Sequence, residues 1–329
     1  MKIKFLFIRF SSIGDIVLTT PAVRCLKKQL PDAEIHYLVK NTFKIIPESN
    51  PYIDKVHVFD NDLSAVIEDL KKEYITYVID LQKNLRSYRI KQKLPFVAFS
   101  FNKLNIEKWL LTNFKINRLP GIHIVDRYLQ TLDLFDIWND GEGLDYFIPK
   151  NQEVDTASLP PAFQQNYIGL VVGAAHATKR LPIEKIKGLV EMIRKPVVLL
   201  GGPSDVDLAE EIARINPLIT YNACGKYSLH QSASLVKQAK LIISHDTGLM
   251  HIASAFKKDI LSVWGNTVPG FGMYPYFPGK SSEIFEVQGL SCRPCSKIGF
   301  KKCPKGHFKC MNDISLEAIA RKASNLFNA

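Results

Sequence analysis

The sequence lacks the long apolar run, the glycine-rich nucleotide motifs and the biased composition that would each assign it to a simple class. No uninterrupted apolar stretch approaches the roughly 20 residues of a membrane-spanning helix. Hydrophobic residues make up 46% and charged residues 23%, with 18 prolines and 18 glycines, which excludes disorder, collagen and coiled coil. Neither G-x-G-x-x-G nor G-x-x-x-x-G-K-[ST] occurs, which argues against a dinucleotide dehydrogenase or a P-loop NTPase.

The N-terminal apolar run is short and ends at Arg9, and no small-residue cleavage site follows it. We interpret it as a strand rather than a signal peptide, and expect the chain to stay in the cytoplasm. The formal net charge of +11 is concentrated in residues 83–118 and 293–309. Such runs are either solvated helix faces or binding surfaces for an anionic partner.

The 329 residues suit two domains better than one compact core. Short apolar strands alternate with amphipathic helices in both halves, which predicts an α/β protein with parallel sheets covered on both faces. Proline and glycine between 139 and 161 mark a linker. We expect an N-terminal Rossmann-like domain over 1–155, a C-terminal one over 156–312, and a last helix, 313–329, that could pack back across the cleft. A ligand would bind between the two domains, at the carboxyl ends of the strands.

The sharpest motif is the strand-to-helix junction at Asp246, Thr247, Gly248 and Leu249. Unpaired amides at the start of a helix form an anion site, and Gly248 allows a phosphate to approach the backbone. His251 lies about one turn on, at the same end of the helix. Simple helix capping is the alternative reading of the motif.

Two further loops follow predicted strands in the second half. One holds Thr178 and Lys179, a hydroxyl and a cation suited to a diphosphate. The other ends at Asp205, whose carboxylate could hold ribose hydroxyls. Taken alone, the Lys179-Arg180 sequence before a helix is more often a solvated pair of charges, and a Ser204 helix cap explains the second loop equally well.

The matching loop of the first half contains Ser12, Gly14 and Asp15. A carboxylate facing a diphosphate across a cleft suggests a general base for an acceptor hydroxyl, although aspartate in such a turn is more often structural.

Four late cysteines, Cys292, Cys295, Cys303 and Cys310, have the spacing C-x2-C-x7-C-x6-C. A structural zinc site, disulfides and free thiols are all open readings, and a reducing cytoplasm disfavours disulfides. Cys25 and Cys224 fall within a predicted helix and strand and are expected in the core.

Taken together, the motifs at 11–15, 179–182, 201–203 and 246–253 resemble glycosyltransferase family 9, the heptosyltransferases of the lipopolysaccharide core. The resemblance extends over nearly the whole chain, including 80–82 and the pair His123 and Arg127. It implies a GT-B fold and an inverting, metal-independent transfer from a nucleotide-activated sugar, typically ADP-heptose. We therefore expect no cofactor for catalysis. The resemblance gives no purpose for the late cysteines, for which a structural zinc stays one of the open readings.

The resemblance also implies residue roles. Asp15 would be the catalytic base, the 247–249 backbone and Lys179 would hold the diphosphate, and Asp246 would bind sugar hydroxyls. Asp205 stands where the family often has glutamate, which shortens its reach to ribose. The remaining predicted contacts are to an anionic, Kdo-bearing lipid acceptor: Ser12, Gly14, Lys83, Arg86 and Arg127.

Two alternatives remain open at this point. Another nucleotide sugar could serve a different surface glycan, because diphosphate chemistry is common to all such donors. A zinc-containing nucleic-acid-binding protein would also use the positive charge and the cysteines, but no stacking platform or reading helix is evident, so we expect no nucleic-acid partner. Contact with the inner membrane would be peripheral, through a basic face or the apolar patches 94–101 and 109–111.

Overall fold

The computed structural model describes residues 2–60 and 62–329, which divide into two compact units. The first unit runs to Leu104 and includes Ile122–Phe147, and the second comprises Asn105–Gly121 and Ile148–Ala329. The chain therefore leaves the first unit, contributes residues 105–121 to the second, and returns. The final division falls after Phe147, within the linker that the composition predicts.

The first unit is built on a five-stranded sheet in which every neighbouring pair is parallel. Its strands are β1 (Lys4–Ile8), β2 (Glu34–Lys40), β3 (Lys55–Phe59), β4 (Tyr77–Asp80) and β5 (Val97–Ser100), in the order β3-β2-β1-β4-β5. The helices along the chain to this point are α1 (Ile13–Val17), α2 (Thr20–Gln29), α3 (Ile45–Glu48), α4 (Leu63–Lys72) and α5 (Leu85–Lys93). The excursion carries α6 (Asn105–Phe114), and α7 (Ile124–Leu129) returns to the first unit.

The second unit repeats this plan with six parallel strands in the order β11-β10-β9-β6-β7-β8. The strands are β6 (Ile168–Val171), β7 (Val197–Leu200), β8 (Thr220–Asn222), β9 (Leu241–His245), β10 (Ile260–Trp264) and β11 (Glu283–Glu286). The helices are α8 (Ile183–Ile193), α9 (Val206–Ala213), α10 (Leu229–Gln238), α11 (Gly248–Ala255), α12 (Lys309–Asn312) and α13 (Leu316–Asn328). The last helix, α13, packs against α8 of its own unit.

The strands β6, β7, β9 and β10 are buried along their whole length, as expected where helices cover both faces of a parallel sheet. The edge strands β3, β5 and β11 are part-exposed. In β1, Phe5, Leu6, Phe7 and Ile8 are all fully buried. The two predicted core thiols, Cys25 and Cys224, are buried as well. Among the residues described, no helix is both long and apolar enough to cross a membrane.

The strand order places a topological switch point in each sheet. In the first sheet, β2 and β3 lie on one side of β1, and β4 and β5 lie on the other. The chain therefore leaves β1 and β4 in opposite directions along the sheet. In the second sheet the same holds for β6 and β9. Ligands of doubly wound sheets bind at such points, outside the carboxyl ends of the strands. The predicted motifs at Asp15, Lys179 and Asp246 follow three of these four strands, namely β1, β6 and β9.

Candidate functional site: two strand-end loops

In the loop after β1, both oxygens of the Asp15 carboxylate have partners within the loop or the strand end. Asp15 lies in the first turn of α1, where its Oδ2 accepts hydrogen bonds from the Ser12 main-chain N–H (3.1 Å) and hydroxyl (2.9 Å). Its Oδ1 lies 2.6 Å from the Arg9 Nη2. The side chain remains 21% exposed, so an oriented carboxylate is presented at the end of β1.

Arg9 is the cation behind this carboxylate, and it is itself held on several sides. Its guanidinium donates to the carbonyl oxygens of Ser11 (2.9 Å) and Leu81 (2.6 Å) and to the Tyr128 hydroxyl (3.1 Å). Burial is the largest single influence and would lower the pKa of Arg9, but the charge and hydrogen bond of Asp15, together with Tyr128 and Tyr37, outweigh it and the pKa is raised. The ion pair is therefore fixed in geometry and in charge.

The loop after β4 is organised around a fully buried carboxylate, Asp80. It accepts from the main-chain N–H groups of Gln82 and Lys83, from the Ser87 hydroxyl at 2.9 Å and from the Lys91 ammonium at 2.8 Å. The Gln82 side chain in turn accepts from the Phe10 N–H at 2.9 Å. These bonds connect the two loops at the switch point of the first sheet.

The predicted acceptor-binding cations are arranged in different ways. Arg86 is exposed on α5. The Lys83 ammonium donates to the Phe101 carbonyl at 3.0 Å. Arg127 is only 2% exposed and donates to the Asn102 carbonyl at 2.9 Å, so its guanidinium supports the fold of the first unit. Lys103 lies near Arg9 and Asp15: its pKa is lowered by burial and by Arg9, with Asp15 acting in the opposite direction.

In the second unit, the loops after β6 and β9 meet through an ion pair. The Lys179 ammonium lies 2.5 Å from Asp246 Oδ2, and the same oxygen accepts from the Thr267 hydroxyl at 3.1 Å. Directly beyond Asp246, Thr247 precedes α11, whose first residues Gly248 and Leu249 are part-exposed. The first amides of a helix have no partner within the helix, so a lysine and a helix N-terminus lie side by side.

A buried histidine supports the Lys179 loop from behind. His245, the last residue of β9, accepts a hydrogen bond from the Leu181 N–H through Nε2 at 3.0 Å. Burial, assisted by the nearby Arg180 charge, lowers the pKa of His245 to about 4. The ring is therefore neutral near pH 7, as an acceptor of an N–H must be at that nitrogen.

Three predicted donor contacts are buried and engaged within the protein. Thr178 donates its hydroxyl to the Phe300 carbonyl (3.2 Å) and accepts from the Phe300 N–H (2.8 Å). Asp205 accepts from the Gly202 N–H at 2.9 Å and lies 3.4 Å from Arg180. His251 is 2% exposed. All three side chains are therefore held within the second unit, and their contact with a donor stays a prediction.

The four late cysteines lie near one another, but they do not form the predicted zinc site. Within the described part of the chain, no group of three or more His, Cys, Asp or Glu side chains is arranged to hold a metal ion. Cys310 belongs to the hydrophobic core of the second unit, and burial raises its pKa to about 11. The Cys292 sulfur, by contrast, lies 3.8 Å from His307 Nε2. The geometry of the described residues therefore gives no arrangement of the three or four ligands that a tetrahedral zinc site requires.

Sequence reasoning assigned no role to Arg9, His245 or Thr267. A cation directly after an apolar strand is a signal for Arg9, because burying such a charge requires a partner. Thr267 has no comparable signal, since its partner Asp246 is 21 residues away in the chain.

Comparison with known proteins gives a consistent result. The model of the family described as glycosyltransferase family 9 (heptosyltransferase) matches residues 63–304. The chain is similar to lipopolysaccharide heptosyltransferase 1 of Campylobacter coli, with 24% identity covering 80% of this chain and 84% of that protein. Two solved structures share the fold. A family 9 glycosyl transferase from Veillonella parvula has a TM-score of 0.79 at 23% identity and 99% and 97% coverage. An Escherichia coli heptosyltransferase solved with ADP has a TM-score of 0.71 at 19% identity and 98% and 100% coverage.

Proposed function

Because the chain belongs to glycosyltransferase family 9, and is therefore a glycosyltransferase, we propose that it transfers heptose from ADP-heptose to a lipopolysaccharide core acceptor. Its two Rossmann-like units are those of the GT-B fold. The observation that carries the proposal is that each sheet has a loop with charged side chains at its switch point. The loop of the first sheet holds Asp15 against Arg9, and the loop of the second sheet places Lys179 beside the start of α11.

The second unit has the chemistry of a donor site. As the sugar leaves, negative charge builds up on the nucleoside diphosphate, and a cation together with helix-start amides stabilises that charge without a divalent ion. Lys179 supplies the cation, and the amides of Gly248 and Leu249 supply the donors. Asp246, on the other side of Lys179, would accept from sugar hydroxyls once the diphosphate competes for the ammonium.

The first unit has the chemistry of an acceptor site. Asp15 is ionised beside Arg9, oriented by Ser12 and partly exposed, as a general base for an incoming hydroxyl must be. Attack by that hydroxyl on the anomeric carbon, opposite the leaving diphosphate, inverts the configuration of the sugar. Exposed Arg86 and Ser12 would face an anionic, Kdo-bearing lipid, whereas the predicted contact Gly14 is buried in α1.

The relatives support the choice of substrates. The Campylobacter coli protein is named for lipopolysaccharide, and the Escherichia coli enzyme was solved with ADP. ADP as the leaving nucleotide therefore takes precedence over UDP or GDP in this proposal.

The test is a donor panel with an extracted lipid A–Kdo acceptor, in buffer containing a chelator and analysed by mass spectrometry. We expect product from ADP-heptose alone, retained in the presence of chelator, with an inverted anomeric centre by proton NMR. Product from a UDP- or GDP-sugar instead would refute the donor assignment, and loss of turnover on chelation would refute metal independence.

A further inference from the structure

The helix α6, which the chain contributes to the second unit, has an apolar face turned outward. None of its ten residues is buried. Ile106, Trp109, Leu110 and Phe114 follow the spacing of one helix face, and the side chains of Ile106, Trp109 and Phe114 are exposed by 71%, 48% and 58%. Contiguous exposed apolar side chains of this kind are typical of a surface that binds a protein or a membrane.

The opposite face of α6 packs on the second unit. The Lys108 ammonium lies 5.9 Å from the centre of the Phe271 ring, and the Thr112 hydroxyl oxygen is buried. The orientation of the helix is therefore set by contacts on its polar side, which leaves the apolar side outward.

The cysteine-bearing segment 292–309 extends the same surface. The Lys297 ammonium donates to the Asn105 carbonyl at 3.2 Å, at the start of α6. At the other end, the Lys115 ammonium donates to the Pro294 carbonyl at 2.7 Å. Ile298 and Phe300 of this segment are also exposed. We call α6 and segment 292–309 together the docking surface.

The charged residues that border the apolar part of the docking surface are almost all positive. Segment 292–309 contains no Asp or Glu, and five of its lysines are exposed: Lys297, Lys301, Lys302, Lys305 and Lys309. Exposed Arg118 follows α6, whose only acidic residue is Glu107. Exposed indole, phenyl and aliphatic groups bordered by lysines match the interface of a bilayer: the rings enter the headgroup region while the ammonium groups meet lipid phosphates.

We propose that the docking surface binds the surface of an anionic phospholipid bilayer. Apolar contact supplies depth of insertion, and the lysines supply preference for anionic lipid, since each basic residue near such a surface adds attraction that salt screens. The inference goes beyond the proposed function, because it requires neither a sugar donor nor an acceptor sugar. It also gives the segment that carries the late cysteines a role in place of metal binding.

The first measurement is flotation of the full-length protein with vesicles of phosphatidylglycerol and phosphatidylcholine, compared with phosphatidylcholine alone. We expect binding to the anionic vesicles, reversed by high salt, and at least about tenfold weaker binding to the neutral ones. In a Trp138→Phe background, the emission of Trp109 should shift to shorter wavelength on binding, because the one other tryptophan, Trp264, is already buried. Equal binding to both vesicles, or no binding to either, would overturn the proposal.

Two pairs of variants separate the apolar and ionic contributions. Ile106→Glu with Trp109→Glu should weaken vesicle binding about tenfold or more, whereas Leu218→Glu, at a leucine 80% exposed elsewhere on the second unit, should not. Lys301→Glu with Lys302→Glu should weaken binding more than the matched charge change Lys71→Glu with Lys72→Glu on α4.

Several results would overturn the docking surface. One is vesicle binding by the Ile106 and Trp109 variant that is as strong as that of the wild type. Another is an equal loss of vesicle binding in the two lysine variants, because the loss would then depend on net charge and not on the position of the lysines. Self-association of the wild type, abolished by the Ile106 and Trp109 changes while vesicles stay unbound, would make the surface a contact between copies of the chain. All of these readouts use vesicles without sugar, so they are independent of the transferase assay.

Discussion

The loops at the two switch points hold their carboxylates in different ways. Asp15 in the first unit is paired with an arginine that is 8% exposed and bound to several protein acceptors. Asp246 in the second unit is paired with Lys179. Among the described residues, the Asp246 carboxylate is the one group that accepts a hydrogen bond from the Lys179 ammonium. A guanidinium fixed on all sides keeps its partner in place, whereas a lysine held by one carboxylate can be drawn to a second anion.

This difference fits different tasks. A general base must keep one position and one charge through the reaction, which a buried, many-sided ion pair provides. A lysine that binds a diphosphate must give up its ion pair within the protein when the ligand arrives. A lysine with a single acceptor, such as Lys179, can do so at a low cost in free energy. The predictions below test whether the first loop is rigid and catalytic and the second is adaptable and binding.

The largest effect is expected at Asp15. Asp15→Asn keeps the size and the Ser12 contacts but removes the base, so kcat should fall by about 10²- to 10⁴-fold while ADP affinity stays unchanged. Calorimetry and steady-state assays on the same preparation measure both, with exposed Asp32→Asn as the control. Wild-type turnover in Asp15→Asn would remove the catalytic role.

Arg9 is expected to act through Asp15. Arg9→Met leaves a carboxylate without its cation, which should cost about 3–5 kcal/mol of unfolding free energy and raise the pKa of Asp15 relative to the wild type. The acid limb of the kcat/KM profile should then move to higher pH. Arg9→Lys keeps the charge without the fixed fork and should restore the limb but not the full rate. An unmoved acid limb in Arg9→Met would show that Arg9 serves the fold alone.

Acid should weaken the second loop through His245. Its pKa is about 4 when folded and about 6.5 when unfolded, so the unfolded chain binds more protons between these values. Stability is therefore unaffected above pH 6.5 and is lost as the pH falls from 6.5 to 4, by up to about 3 kcal/mol. His245→Gln retains an acceptor for the Leu181 N–H and should flatten this dependence in denaturant titrations at pH 7 and pH 5. The same slope in both proteins would assign it to other groups.

Lys179 is expected to contribute directly to ADP binding. Lys179→Ala should weaken ADP by about 1.5–3 kcal/mol, the range of a hydrogen bond to a charged group. Exposed Lys240→Ala controls for the loss of one positive charge. Calorimetric affinity equal to that of the wild type would place the diphosphate elsewhere.

Thr267 should give the smallest effect. Thr267→Val removes one neutral donor from Asp246 at constant shape and should change ADP affinity by about 0.5–1.5 kcal/mol. A loss as large as that of Lys179→Ala would mean that the second loop is as rigid as the first, and the contrast between the units would fail.

The element pattern followed from the sequence because buried parallel strands must be apolar throughout and the helices between them amphipathic. The apolar pattern predicts a strand over 55–59 and helices that start at 183 and 248, and the structure has β3 over Lys55–Phe59, with α8 and α11 starting at Ile183 and Gly248. β5 and β11 were not predicted: both are part-exposed edge strands, and β11 begins and ends with a glutamate. The helix α6 was not predicted either, although its apolar residues follow the spacing of one helix face; none of its residues is buried.

The sequence by itself determined the parallel α/β units and the loops that carry Asp15, Lys179 and Asp246, because strand composition and the residues that follow each strand are local properties. Only the tertiary structure decided which side chains those loops present. Arg127, Thr178, Asp205 and His251 are polar in the sequence but buried in the fold. Thr267 and Asp246 meet because β9 and β10 are neighbours. Burial and long-range pairing depend on how the strands are ordered, and no local pattern of residues encodes that order.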